Sequence, residues 1–318
     1  MYANNAPVVM IGYSRCGTLQ KCLFNLSQCA GVRDRDLYLY LDAPYRKEDA
    51  PACKKMQEVA EHMRNEVLPN LRVIKREKNY GVPGNLIDCV TEIVNQYGRI
   101  IFFEDDVLVS RTFLKYMDGA LESYKGNNRI WGVNGWNSPY MRLPRSYAKD
   151  IFLNPRHNPW GFGTWADRWN AVDFELTDWP SCRDDVFVRA LIDLQGVDMW
   201  SMINGQWEGR LHTWDVQCSF YMAVNHLFSI SPKLSLTKNI GFSVNGGVHC
   251  KGRNLGLERQ KYYNLMPTSF DVDVPVDPQV AKLYRGQWID YSICKRVVRK
   301  LMRMKALFGG DNDVPIDA

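Results

Sequence analysis

Nowhere in the 318 residues is there the uninterrupted apolar run of roughly 18 to 20 that a membrane-spanning helix needs. The opening MYANNAPVVMIGYSRCG has neither the basic start nor the long apolar stretch of a secretory leader. These absences predict a chain that neither spans a membrane nor is exported by a visible signal. Paired cysteines are missing as well: the nine (Cys16, Cys22, Cys29, Cys53, Cys89, Cys182, Cys218, Cys250 and Cys294) are odd in number and contain no C-x-x-C. Scattered through apolar segments, they predict buried reduced thiols in a cytoplasm. A strong charge imbalance is lacking too. Forty Lys and Arg against 35 Asp and Glu leave a net +5, too little for a histone-like wrapper of nucleic acid. No basic stripe interleaved with aromatics runs through the main body, so nucleic acid is not an expected partner. There is no internal repeat and no low-complexity tract. What is there is ordinary globular composition, 46% hydrophobic and 24% charged, which excludes global disorder and supports one large core or two smaller ones.

Residues 1–110 alternate short β-branched runs with helical patterns. Runs at Val8 to Ile11, Leu37 to Leu41, Leu71 to Ile74 and Ile100 to Phe103 are separated by helical stretches from about Thr18, from about Asp49 to Val67, and from Asn85 to Tyr97. This alternation predicts βαβ units and a parallel sheet covered on both faces. Ligands of such sheets sit beyond the carboxyl ends of the strands. The residues to read for chemistry are therefore Tyr13-Ser14-Arg15, Asp42, Asn79-Tyr80-Gly81 and Glu104-Asp105-Asp106. From Ile130 the texture changes to short aromatic segments punctuated by Gly, Pro and Asn, and nine of the ten tryptophans lie between Trp131 and Trp214. That pattern predicts a mixed α+β half over residues 111–252.

The run IIFFEDDVLV places three consecutive carboxylates at the end of a buried apolar strand. Adjacent like charges repel, so their retention at a strand end calls for a compensating cation or hydrogen-bond donors. Mg2+ and Mn2+ take oxygen ligands, and Mg2+ in particular is usually held by one or two carboxylates with phosphates and waters completing the shell. A metal-diphosphate site and a solvated turn that caps a helix through Asp106 or Ser110 both fit the run alone.

IIFFEDDVLVSRTFLKYM resembles the acidic turn of GT-A glycosyltransferases, most nearly the N-acetylglucosaminyltransferase I family that begins complex N-glycans, and also bacterial capsule and O-antigen sugar transferases. The resemblance runs in order over roughly residues 7 to 250. VVMIGYSRCGTLQKCLFNL is similar to the family's first nucleotide-binding strand and helix, with Arg15 at its arginine and Ser14 where an acidic residue is expected. LYLYLDAP puts Asp42 at its base-reading aspartate. IWGVNGWN, PWGFGTWADRW, HTWDVQ and NIGFSVNGGVHC fall where its acceptor-side and donor-side segments lie. The resemblance implies a GT-A fold: an α/β, Rossmann-like, mixed but mainly parallel sheet flanked by helices, with an α+β acceptor-side half. It also implies a nucleotide-sugar donor, UDP-linked, and Mn2+ or Mg2+ as cofactor. On this reading Asp106 holds the metal, and Glu104 and Asp105 face ribose or sugar hydroxyls. Tyr13, Arg15, Asp42 and Asn79 lie along the nucleotide-sugar, although Asn79 and Gly81 are turn formers in their own right.

Direct displacement at an anomeric carbon needs a carboxylate to deprotonate the acceptor hydroxyl. Asp215 in Thr213-Trp214-Asp215 matches the first aspartate of the family's W-D-D-W segment, while Val216 replaces the second. Asp215 also fits as a cap of the apolar stretch VQCSFYMAV, and Asp167 in GTWADRW is the second candidate base. Aromatic faces suit the C–H side of a pyranose, which brings Trp136, Trp160, Phe162 and Trp214 into view, with Gly161 and Gly163 allowing close backbone approach. NIGFSVNGGVHC fits a loop closing on diphosphate through backbone N–H groups, where the resemblance implies Gly241, Ser243 and Gly246; it also implies His249 as a second metal ligand, a residue that by itself fits equally an ordinary surface imidazole.

Residues 253–289, with several prolines, predict an extended excursion or linker, and residues 309–318 a frayed tail. Residues 290–308 have a helical pattern with Ile293, Val297, Leu301, Met304 and Phe308 on one face and Lys295, Arg296, Arg299 and Arg303 around the other. Such a helix fits an anionic membrane surface carrying a lipid-linked acceptor, and fits equally a helix packed on the domain. The expected function is thus a metal-dependent inverting glycosyltransferase, hexosyl- or N-acetylhexosaminyl-, of surface polysaccharide assembly, cytoplasmic and peripheral to the membrane. Its expected partners are a nucleotide-sugar donor and a glycan or lipid-linked saccharide acceptor. A sugar-1-phosphate nucleotidyltransferase shares the layout, but GYSRCGTLQK is a poor triphosphate loop with only Gly12 and Gly17. A non-catalytic carbohydrate-binding or scaffold protein on the same fold is the remaining alternative, and the intact Glu104-Asp105-Asp106 and Asp215 argue against it.

Overall fold

A computed structural model describes residues 5–141, 143–243, 255–271 and 275–287. Its first half alternates strand and helix: β1 (Val8–Gly12), α1 (Cys16–Ser27), β2 (Leu37–Leu41), α2 (Ala50–Glu66), β3 (Leu71–Lys75), α3 (Gly81–Tyr97) and β4 (Arg99–Glu104). There follow β5 (Val107–Val109), α4 (Phe113–Tyr124), β6 (Ile130–Asn134), β7 (Ile151–Asn154) and β8 (Phe162–Trp165). The short helices α5 (Ala166–Trp169), α6 (Trp179–Cys182), α7 (Val186–Gln195) and α8 (Met199–Trp207) precede α9 (Asp215–Val224). The described part closes with β9 (Phe228–Pro232), β10 (Thr237–Asn239), a 3-10 turn at Gly241–Ser243, α10 (Leu255–Glu258) and α11 (Pro278–Gln287).

Eight strands form one mixed, mainly parallel sheet in the order β3-β2-β1-β4-β8-β6-β9-β7. The four on the β3 side are mutually parallel, while β8 enters antiparallel between β4 and β6. This is the α/β architecture expected from the sequence. Every residue of β1 and β2 is buried, because helices cover both faces. Alternate strand residues serve opposite layers. Val8, Met10, Leu39 and Phe103 pack with α1, α2 and α4, whereas Val9, Ile11, Tyr40 and Phe102 pack with α3, α5 and α9. A satellite core of Leu176, Trp179, Ile192, Ile203 and Phe220 joins α7, α8 and α9.

Two expectations shift. α3 begins at Gly81 rather than Asn85, since Pro83 falls within its first turn, where a missing N–H costs no intrahelical bond. The excursion at 253–289 is strapped to the body where it is described. The Tyr263 N–H donates to the Ser235 carbonyl, the Tyr124 hydroxyl to the Asp271 carbonyl, and Phe270 packs against Tyr116. The basic stretch 290–308 lies outside the described residues. Among the described residues no helix is long and apolar enough to cross a membrane.

Candidate active site

The chain runs outward from β1 to β2 and β3, then returns to place β4 on the other side of β1. The crevice at the carboxyl ends of β1 and β4 is therefore a topological switch point, where open α/β sheets bind ligands. Strand β1 ends there in Tyr13-Ser14-Arg15 and β4 ends there in Glu104-Asp105-Asp106.

Arg15 spans the crevice. Its Nη2 lies 2.5 Å from Asp105 Oδ1 and its Nη1 lies 2.6 Å from Asp106 Oδ2. The arginine's main chain is held as the entrance to α1, its carbonyl accepting from the Thr18 and Leu19 N–H groups and the Thr18 hydroxyl. Burial works against its charge, but Asp105 and Asp106 outweigh that and raise the guanidinium above its ordinary value. Asp105 is buried, which pushes its carboxyl up to about 7 even though Arg15 and the Tyr13 N–H stabilise the ionised form. Glu104 is pushed up to about 8, first by burial and then by the charges of Asp106 and Asp105, with Arg15 offsetting part and Asp215 adding to it.

Asp215, the first residue of α9, is thus near enough for its charge to act on Glu104, 111 positions earlier in the chain. Asp215 is partly exposed and stands in the first turn of its helix, whose N-cap position is Trp214. Asp167, by contrast, is 71% exposed and paired with Arg168 beside it.

Asp106 is braced from behind. Strand β10 pairs antiparallel with β5, directly after the acidic turn, in the register Asn239 to Val107. The Ile240 N–H donates to the Asp106 carbonyl at 2.7 Å, and Asn239 Nδ2 donates to Asp106 Oδ1 at 3.2 Å. Asn239 Oδ1 in turn accepts from the Gly241 N–H at 2.7 Å. A Cβ at position 241 would lie 2.2 Å from Asp106 Oδ2, so only glycine lets the backbone approach the carboxylate this closely. Asn239 was not among the residues singled out in the sequence. Its only signal there was its position two residues before Gly241.

Other expected residues have local duties. Asp42, at the end of β2, accepts from the Ala43 and Tyr80 N–H groups at 3.0 and 2.9 Å. Burial raises its carboxyl, and the N–H groups of Tyr80, Ala43 and Gly81 pull it back. Asn79 donates to the Ala43 carbonyl and accepts from the Gly81 N–H. Both residues thus tie the β2 loop to the start of α3. The Tyr13 hydroxyl accepts from the Tyr45 N–H and donates to Asp49, and its burial pushes it up to about 12.

On the far side of the crevice, β6 and β8 bring Trp136 and Trp160 together with ring centroids 4.7 Å apart. Trp136 is buried and donates through Nε1 to Gln260, so its ring does not form an open platform. Trp160 keeps part of its surface exposed and meets Phe242, beside Gly241, at 5.3 Å. Gly161 has φ of +94°, and a Cβ there would come 2.9 Å from Thr237. Gly163 lies inside the sheet, where a Cβ would come 3.0 Å from the Ile100 carbonyl; it serves strand packing.

Phe162 and Trp214 are buried in an aromatic core with Phe102 and Trp169, so their rings support the site from beneath. His157 sits in the same core against Trp131, Phe162 and Trp214, with neither ring nitrogen hydrogen-bonded. Burial lowers it to about 3, so it is neutral. Gly246 and His249, and the side chain of Ser243, lie outside what the structure describes.

The donor chemistry fits a hard divalent cation. Carboxylates of Asp105 and Asp106 already converge on one cation, the Arg15 guanidinium, and oxygen ligands of this kind suit Mg2+ or Mn2+. Among the described residues no group of three or more His, Cys, Asp and Glu side chains is arranged to hold a metal. The turn offers part of a coordination shell, as expected where a diphosphate supplies the rest.

No family model and no curated protein sequence matches the chain. Among solved structures it is similar to residues 1–349 of TarS from S. aureus, at 12% identity and a TM-score of 0.40, over 72% of this chain and 60% of that one. It is similar to the mannosyltransferase PcManGT from Pyrobaculum calidifontis in complex with GDP-Man and Mn2+, at 11% identity and 0.39, over 70% and 69%. It is also similar to the galactosyltransferase LgtC in complex with donor and acceptor sugar analogues, at 13% identity and 0.37, over 92% and 99%. At these values nothing about chemistry carries over to this chain.

Proposed function

We propose that the chain is a GT-A glycosyltransferase that moves a sugar from a nucleotide-sugar to a hydroxyl, inverting the anomeric centre in one displacement. The observation that carries this reading is the meeting, at the β1/β4 switch point, of Arg15 with Asp105 and Asp106, within electrostatic reach of Asp215. Asp106, with Asp105 beside it, would hold a divalent cation, which when bound offsets the negative charge of a diphosphate leaving group. Arg15 supplies a bidentate cation for the same diphosphate. Glu104, at the strand end, faces donor hydroxyls. Asp215 takes the proton from the acceptor hydroxyl.

The resemblance in sequence to the N-acetylglucosaminyltransferase I family and to capsule and O-antigen transferases extends the proposal. It favours a UDP-linked hexose or N-acetylhexosamine and an acceptor that is a glycan or a lipid-linked saccharide in surface polysaccharide assembly. Asp42 and Tyr13 would then border the nucleotide. Gly241, Ser243 and His249 would close over the diphosphate, and Trp160 with Phe242 would face the sugars. The basic stretch 290–308 would hold the protein on an anionic cytoplasmic membrane face.

A thermal-shift screen of UDP-, GDP- and other nucleotide-sugars, with and without Mn2+, tests the reading. A donor at about a hundredfold excess over its Kd adds about 2.7 kcal/mol, and one donor should raise Tm in the presence of Mn2+ and then undergo slow hydrolysis. No stabilisation by any nucleotide-sugar under either condition would remove the main support.

A further inference from the structure

In the protein by itself the carboxylates that should receive a metal are already taken. Asp105 Oδ1 and Asp106 Oδ2 both contact Arg15, while the remaining polar contacts of these side chains go to the protein: the Tyr13 N–H for Asp105, and Asn239 for Asp106 Oδ1. The backbone at Gly241 comes so close to Asp106 Oδ2 that a Cβ there would lie 2.2 Å from it. One cation at a time can use these oxygens. The carboxylates are almost wholly buried, at 5% and 8% exposure, so they depend on that cation; Arg15 at 32% is the partner with room to move. A guanidinium fork matches a phosphate as well as it matches two carboxylate oxygens.

We propose that Arg15 is a placeholder cation that changes partner on substrate binding. It neutralises the acidic turn in the free protein. When a nucleoside diphosphate group arrives, the guanidinium leaves Asp105 and Asp106 for the phosphate oxygens and frees the carboxylates for a divalent cation. The metal therefore binds the free protein weakly and the diphosphate-loaded protein tightly. Linkage requires that the metal strengthen diphosphate binding by the same factor. The proposal rests on the donor-site reading above and adds an order of dependence to it.

Mn2+ binding to the full chain, followed by electron paramagnetic resonance with and without UDP and with GDP as a second probe, tests the exchange. In the wild type the nucleotide should tighten Mn2+ binding on the order of tenfold or more. Arg15→Gln should bind Mn2+ alone on the order of tenfold tighter than wild type and lose most of the nucleotide's effect. Arg15→Lys, a point charge that cannot span both carboxylates, should fall between the two and decides the matter if the Gln variant does not fold. Mn2+ affinity in both folded variants equal to wild type, or a nucleotide effect undiminished in them, overturns the exchange and leaves the metal site standing. Failure of wild-type protein to bind Mn2+ even with either nucleotide overturns the donor-site reading itself.

Discussion

Asp215 carries the sharpest consequence at the scale of single residues. If it is the base, Asp215→Asn should lower sugar transfer by about 10²- to 10⁴-fold, while nucleotide-sugar binding, measured by calorimetry, stays near that of the wild type. Substantial retained turnover would move the base elsewhere. The residues whose work is done close to their own strand were legible in the sequence. Arg15, Asp42 and the Glu104-Asp105-Asp106 turn stand directly after apolar runs, where strand ends must be. Asn239 was not legible, because its meaning comes from Asp106, 133 positions away. Trp214 shows the converse. Its place beside Asp215 made it look like a sugar platform, but a tryptophan next to a functional residue can equally be the core under it, and here Phe102, Phe162 and His157 enclose it.

Elements rather than residues decide the pH behaviour of that core. His157 belongs to the segment leading into β8, and the rings of β6, β8 and the α9 entrance surround it without offering a hydrogen bond. Its folded-state pKa is lowered from 6.5 to about 3. Below pH 6.5 the unfolded chain takes a proton that the folded chain refuses, so this group's contribution to stability falls with acidification, by about 1.4 kcal/mol per pH unit, until the folded pKa is reached. His157→Phe should remove that component. Urea unfolding at a series of pH values would show a shallower acid limb in the variant; an unchanged limb would mean that His157 has a proton partner in solution. The parallel half of the sheet was readable because β1 and β2 are unbroken apolar runs set between helical patterns. The antiparallel entry of β8 between β4 and β6 was not, since FGTW and IWGVN carry glycines placed for close strand packing and neither shows a strand period of its own. α11 was missed for a related reason: Pro267 and Pro275 before it and Pro278 at its first position read as an extended chain.

Over the whole molecule, charge divides into two parts. Between Lys282 and Lys305 there are eight Lys and Arg against one acid, more than the entire net +5, so the rest of the chain is slightly acidic. A chain ending at Ile289 should therefore lose binding to anionic phospholipid vesicles in a sedimentation assay, with its melting temperature little changed. Equal vesicle binding by the shortened chain would overturn the membrane role of the basic stretch. The site itself is assembled from distant parts: Arg15 meets Asp106 across 91 positions, and Asn239 meets it across 133. During synthesis the acidic turn emerges early with Arg15 already available, but its brace does not exist until β10 has been made and has paired with β5. If the acidic turn holds the donor as proposed, nucleotide binding by nascent chains of graded length should appear once β10 has been made, and so report when the sheet closes.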